Sequence, residues 1–398
     1  MALLLVSLLD IVSVAARGDA SRVTVVFSAP VEAEAAAFRV EPGVKVLSAA
    51  RGFDPRTVTL AVSPLAEGVE YTLSAHGSKA TFTYTRGLFG SAPPREEKPK
   101  LPKIAKPVLF HTPEADEILR NLQVFPKNNP WNEDVSRRPV HPDSDAIIAQ
   151  CGKDAPLQWN WDMSFVLVPP NQPRVDVKVE SSDESDKGPY PVPDVAPLEN
   201  WPRSGGTLEE AQRGGEGDRH VIVVDPANGM LYEFFHAFRR GGGWEVAIAA
   251  TFDLKSNKTR PRGWSSADAA GLPIFPALPR YDECERGEVR HALRVTFSPT
   301  RREMIWPAQH QAGANMSPAS PAMGQRFRLK AGVDLAGFPK HARAIAQALK
   351  KHGMLVADNG SDWRISVPPD PRLTGLEALR RLKGSDFEVI VTTGENER

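Results

Sequence analysis

Prolines constrain this chain more than any other residue type. Thirty-six of its 398 residues are proline, against an ordinary usage of about 5%. Each one removes a backbone N–H and fixes φ, which breaks helix interiors. Between the prolines, apolar residues alternate with polar ones in short runs, the period of half-buried strands. The expected fold is therefore mainly β. Length points to two or three domains, and the 41% hydrophobic content supplies packed cores rather than a disordered chain. Lys and Arg total 49, as do Asp and Glu. With a formal net charge of zero there is no global basic field to attract phosphate backbones, and nucleic acid is not an expected partner.

The longest apolar run, Ala2 to Ala16 (ALLLVSLLDIVSVAA), stops at Arg17. It is too short to span a bilayer and ends in small residues, as the apolar region of an export signal does, although Asp10 interrupts it. Residues 1–17 are thus expected to be a signal segment, and the protein to be secreted, periplasmic or at the cell surface, with no membrane span once the signal is removed. Residues 18–86 hold short alternating runs divided by Pro, Gly and Asp-Pro turns, the pattern of a small β-sandwich. Through VVFSAPVE, RTVTLAVSPLAEGVEYTLSAHG and the closing strand, this stretch resembles the bacterial Ig-like module of S-layer and surface proteins. That resemblance implies a spacer or adhesive role. Residues 87–107, rich in Pro, Lys and Glu, read as an extended linker. The functional domain is expected over 108–398, where all eight tryptophans lie.

In that domain strands follow one another as SFVLVP, RVDVKV, HVIVVD, LYEFFHAF, WEVAIAATFDL, HALRVTF, QRFRLKAGV, MLVAD and WRISVP. This order favours a larger antiparallel sandwich or jelly-roll with a few peripheral helices over a Rossmann-type fold. Helices are expected at Pro113–Leu122, capped by Thr112, at Pro339–His352, ending at Gly353, and over Gly375–Leu382. Asp225–Gly229 and Asp358–Asp362 read as hairpin turns, and Arg239–Gly243 as a further turn.

The densest polar stretch is Thr251 to His291, and its middle is a long loop by composition. Compact domains seldom carry such a loop without a functional reason. Trp264, beside Ser265, Ser266 and Asp268, pairs an aromatic platform with hydrogen-bonding groups, as a sugar site requires. Glycoside hydrolysis needs two carboxyl groups. Asp268 is the expected acid and Glu283 the base or nucleophile, with Asp282 completing the set. Arg260, Ser266, His291, Tyr281, Glu233, Trp306 and His310 are expected to bind substrate. The alternative for the same groups is ordinary packing and a solvated face.

His220, His236, His291 and His310 could join Asp253, Asp268 or Glu283 around a metal, yet no HExxH or His-x-His spacing occurs and no metal is expected. The acidic stretch Asp183–Asp186 lacks the calcium-loop spacing. There is no GxSxG elbow, and Gly241–Gly243 is not followed by a P-loop lysine, so no nucleotide or other cofactor is expected. Cys151 and Cys284 either form one disulfide or remain free thiols. From Glu184 through Glu388, phrases such as FDLKSNKTRPRGWSSADAAGLPIFPALPRYDE, GEVRHALRVTF and HGMLVADNGSDWRIS resemble a group of exported bacterial proteins with a shared core. The resemblance implies that Gly263–Glu283 is the heart of one domain and assigns no catalytic residue. The leading expectation is an exported protein that hydrolyses a polysaccharide. A cell-surface module that binds glycan or protein without catalysis is the alternative, and a metal-dependent hydrolase is the third reading.

Overall fold

The computed structural model describes residues 9–16, 20–51, 55–84 and 101–394. Strand accounts for 31% of it and helix for 16%, so the fold is mainly β, with several antiparallel sheets and few helices. The chain divides into two compact units, one within residues 1–98 and the other over Pro99–Thr392.

The first unit holds two antiparallel sheets. One has the order Ile11–Ala15, Arg22–Phe27, Thr57–Val62, Val46–Arg51, and the other the order Phe38–Glu41, Glu70–Ala75, Ser78–Thr83. Alternation along the strands sends Val58, Leu60 and Val62 from the first sheet, and Phe38, Val40, Tyr71 and Leu73 from the second, into one shared core. Ile11–Ala15, the end of the run read as an export segment, is an edge strand here, with Val14 opposite Val25 and Ala15 opposite Thr24. Residues 1–8 and 17 of that segment lie outside the described residues, as do 87–100 of the linker. In the remainder of the linker Ile104 is buried in the core of the second unit and Leu101 packs against that core, while Lys103, Ala105 and Lys106 are exposed.

The second unit is organised by a five-stranded sheet and a six-stranded sheet. The five-stranded sheet runs Ile248–Asp253, Met230–Phe235, Val221–Asp225, Phe165–Leu167, Val108–Leu109. Its two central strands are buried on both faces: Ile222, Val224 and Leu231 enter the main core, while Val221, Val223, Tyr232 and Phe234 enter a smaller one behind it. A three-stranded sheet of Val177–Val179, Gly243–Val246 and Phe238–Arg240 contributes Trp244 and Val246 to the smaller core. The six-stranded sheet has the order Phe387–Ile390, Arg326–Leu329, Met354–Asn359, Leu293–Phe297, Arg364–Val367, Gln158–Trp161.

Antiparallel pairing prevails, but parallel pairs occur in all three of these sheets, including Leu293–Phe297 with Met354–Asn359. A parallel pair needs a long crossover, and the helix Lys340–Lys351 lies in this one, burying Ala342, Ile345, Ala346 and Leu349. Gly353 follows it at φ +70°, where a Cβ would stand 2.3 Å from the Phe327 carbonyl oxygen, so glycine alone fits. The expected helix after Thr112 is Pro113–Arg120, with the Thr112 hydroxyl accepting from the Ala115 N–H at 3.2 Å. The one expected over Gly375–Leu382 is a 3₁₀ helix, Leu376–Arg381.

Three local features depart from the pattern reading. Asp358–Asp362 is not a hairpin turn, because the strands on either side of it flank Leu293–Phe297 instead of pairing with each other. Helices at Ser144–Gln150 and Leu208–Arg213 escaped it because each is under two turns long. Tyr281–Arg286, inside the polar stretch, is a third, with Asp282 and Glu283 in its first turn. No helix among the described residues is long and apolar enough to cross a membrane.

Candidate functional site

The stretch between Asp253 and Tyr281 is irregular apart from a 3₁₀ turn at Phe275–Ala277, and it is held in place by charge and hydrogen bonds. Arg260 is buried. It donates to the carboxylate of Asp186, to the Glu184 carbonyl at 2.6 Å and to the Ser265 carbonyl at 2.7 Å. Its guanidinium carbon lies 5.4 Å from the centre of the Trp264 ring. Glu184 accepts from the Ser265 N–H at 3.1 Å and the hydroxyl at 2.8 Å, and these Ser265 bonds hold its carboxyl below the usual range. The acidic stretch considered for calcium thus pins the loop through Arg260 and Ser265. The buried Ser266 hydroxyl lies 2.6 Å from the Leu272 carbonyl and 2.8 Å from that of Asp268, its single proton serving one or the other, and it accepts from the Asp268 N–H at 2.9 Å. At Gly271 (φ +70°) an added Cβ would stand 2.5 Å from the Trp264 carbonyl, so the loop closes on itself only with glycine there.

His310 belongs to the same surface. Its Nδ1 is 2.7 Å from the Ala269 carbonyl and its backbone N–H donates to Ala270, while Gly263 donates to the Gln309 carbonyl at 2.7 Å. Ala270 in turn donates to Ala357 at 2.9 Å, which sets the loop against the strand carrying Asp358. Trp264, His310 and Asp358 are each partly exposed. Trp306, four residues before His310, is half-buried.

Beneath this surface lies a buried polar network. Arg294, the second residue of the fully buried strand Leu293–Phe297, clasps Asp268 with two bonds, Nη2 to Oδ1 at 2.5 Å and Nε to Oδ2 at 2.8 Å. The same Nη2 is 3.7 Å from Asp358 Oδ2. Its Nη1 donates to the Ser366 hydroxyl at 2.5 Å, which donates to Asp162 at 2.9 Å. Burial, then the charge of Asp268, pushes the Asp358 carboxyl up to about 7 against the pull of Arg294. Burial likewise raises Asp162 to about 7. Glu233 is wholly buried and accepts from the N–H groups of Ile274 and Phe275; desolvation outweighs these bonds and raises it to about 7. His220 lies between the Glu199 carboxylate at 3.0 Å and the Ala267 carbonyl at 2.9 Å. Burial opposes its charge, but Glu199 more than compensates, and the imidazole rises to about 9.

Asp282, Glu283, His291 and Tyr281 form a separate cluster around the helix Tyr281–Arg286. Glu283 pairs with Arg280 at 2.7 Å and with His291 at 3.2 Å. Burial works against its charge, yet Arg280 and then His291 hold the carboxyl down to about 2. Asp282 pairs with Arg286 at 2.7 Å, and the Tyr281 ring lies 4.0 Å from the Arg372 guanidinium. The two carboxylates read from sequence as a catalytic pair are therefore each closed in an ion pair: Asp268 with Arg294, and Glu283 with Arg280 and His291. Both are buried. Asp358, Arg294, Asp162 and Glu199 were not among the expected site residues. A signal for one of them was present, since a charge such as Arg294 within the apolar run ALRVTF must find a partner if that run is a central strand.

His220 pairs with Glu199 and His291 with Glu283, but among the described residues no group of three or more His, Cys, Asp or Glu side chains could hold a metal. Cys151 and Cys284 are buried free thiols.

The network sets a pH dependence of stability. Asp162, Glu233 and Asp358 stay protonated in the folded unit to about 7, whereas in the unfolded chain they ionise near 4. The folded state therefore binds more protons in between, and the stability these groups confer falls as pH rises. His220 adds to the loss between its ordinary value and about 9. His352, kept neutral to about 4 by burial, and His111, also lowered by burial, work in the opposite direction below 6.5. The urea midpoint is expected to fall as pH is raised from about 5 to about 9, followed by tryptophan fluorescence, since every tryptophan lies in this unit. A midpoint that rises across that range would contradict the assignment. No protein-family model matches the chain, and no curated protein does.

Proposed function

We propose that the second unit is a glycan-active hydrolase of an exported protein, with Asp358 as its general acid. The observation that supports this reading is the environment of Asp358: a partly exposed carboxyl, raised to about 7 by burial and by Asp268, on the strand that the Trp264 loop meets through the Ala270–Ala357 hydrogen bond. An acid must hold its proton near neutral pH to donate it to a glycosidic oxygen, and carboxyl groups with their pKa values driven apart mark acid and base. Glu184, held ionised by Ser265 on the same loop, is the matching carboxylate and takes the role of base. Asp268 positions Arg294 and raises Asp358 without touching substrate. Trp264 stacks a sugar ring.

The test incubates the full chain, wild type and Asp358→Asn, with a panel of polysaccharides and detects soluble products by mass spectrometry. The expected result is products from the wild type, an Asp358→Asn rate lower by at least about a hundredfold, and a rate that falls as pH rises through about 7. Full activity in Asp358→Asn would overturn the role of Asp358. The Trp264 platform, stiffened by Arg260, favours a second reading in which the surface holds glycan without turnover. Retention of the protein on one polymer without products, abolished by Trp264→Ala, would establish it.

A further inference from the structure

The tight turn joining Phe238–Arg240 to Gly243–Val246 carries Arg239 and Arg240, followed by Gly241 and Gly242. Opposite stands the short helix Leu208–Arg213, which ends in Arg213. Between them is an open cavity of about 540 Å³ lined by Glu209, Arg213, Arg239, Arg240, Gly241 and Gly242. Three guanidinium groups thus face one carboxylate. Each arginine has an acidic neighbour: Arg213 with Glu209 at 2.5 Å, Arg239 with Asp194 at 2.5 Å, and Arg240 with Glu245 at 3.5 Å. Glu209 and Asp194 are mostly in water, and such pairs contribute little and exchange readily.

Behind the turn, Arg219 is 5% exposed and spends its donors on the backbone carbonyls of Ala237, Ala211, Gln212 and Gly214. No carboxylate among the described residues forms an ion pair with it. The Phe238 ring lies 4.0 Å from the Arg219 guanidinium and 4.1 Å from that of Arg240, which fixes two positive charges close together. A buried charge without an ion-paired partner is costly even with the longer-range pull of Glu199, and a nearby anion relieves that cost. Nothing stands within 4 Å of where a Cβ would project from Gly241 or Gly242, so a ligand can approach the backbone there.

We propose that this cavity binds an oxyanion, a sulfate or carboxylate group that the planar guanidinium groups grip in the bidentate manner they offer such groups. The site is separate from the Asp358 surface and requires no hydrolysis. The oxyanion is either a free ion or a substituent of a polymer. Isothermal titration of the full chain with sodium sulfate, against sodium chloride at equal ionic strength, tests the first source. Dextran sulfate against unsulfated dextran tests the second. Wild type is expected to bind sulfate, dextran sulfate or both in excess of its control. Arg213→Ser/Arg240→Ser, which alters two well-exposed side chains, is expected to weaken that binding at least about tenfold. Glu209→Gln, which removes the one carboxylate from the lining, is expected to tighten it. Binding unchanged in the double variant, or no binding beyond chloride and dextran, would overturn the proposal.

Discussion

Replacing Arg294 by methionine is expected to destabilise the second unit by about 3–5 kcal/mol, the cost of breaking a buried ion pair by removing one partner. The reason is what the guanidinium leaves behind. Asp268 is fully buried and its two oxygens are held by Arg294 Nη2 and Nε, so the variant strands a carboxylate that must either take up a proton or remain charged in the core. Ser366 loses its bond to Nη1, and Asp162 and Asp358 lose the positive charge that opposes their rise. The measurement is the urea midpoint by tryptophan fluorescence, which reports this unit alone because no tryptophan precedes Trp131. Asp268→Asn added to Arg294→Met should recover part of the loss, because a neutral amide is less costly to bury than a charge. A single-variant change below about 1 kcal/mol would mean that the pair is not the closed contact described.

Trp363→Ala is the second substitution with a large expected effect, also about 3–5 kcal/mol. The indole is wholly buried, with ring centres 5.1 Å from Phe297, 5.8 Å from Phe327 and 5.1 Å from Phe387, so it joins three strands of the six-stranded sheet. Its N–H donates to the Cys151 carbonyl at 2.6 Å and reaches Gly152 at 3.1 Å, tying the end of the helix Ser144–Gln150 to that sheet. Alanine would leave a cavity and an unsatisfied carbonyl together. Trp363 also sits at φ +57°, unusual for a bulky residue, and the surrounding packing stabilises that backbone. Trp363→Phe separates the contributions: it refills much of the cavity but not the hydrogen bond, and its loss should be clearly smaller. Equal losses in the two variants would place the whole effect in the indole N–H.

How far the sequence could be read depended on how local the cause was. The strands Thr57–Val62 and Glu70–Ala75 were legible because alternation is a property of neighbouring residues, and the helix at Pro113 because its cap Thr112 lies next to it. Gly353 was legible as a helix terminus for the same reason, though its tight approach to Phe327 was not. The length and polarity of the loop carrying Arg260 and Trp264 are likewise visible in composition, since proline and glycine act where they stand.

The pairing of charges was not legible. Asp268 and Glu283 look alike in the chain: each is an acid in a polar stretch with basic residues nearby. Asp268 was bound to Arg294, 26 positions away, and Glu283 to Arg280 and His291, because of which strand and which helix each one faced. Asp358 looked like part of a simple turn, and it became a raised carboxyl only when Leu293–Phe297 inserted between the two strands that turn was expected to join. Local periodicity and turn chemistry are written in adjacent residues. Desolvation and Coulomb energy depend on through-space distance and on how much water is excluded, and neither exists until the sheets have packed.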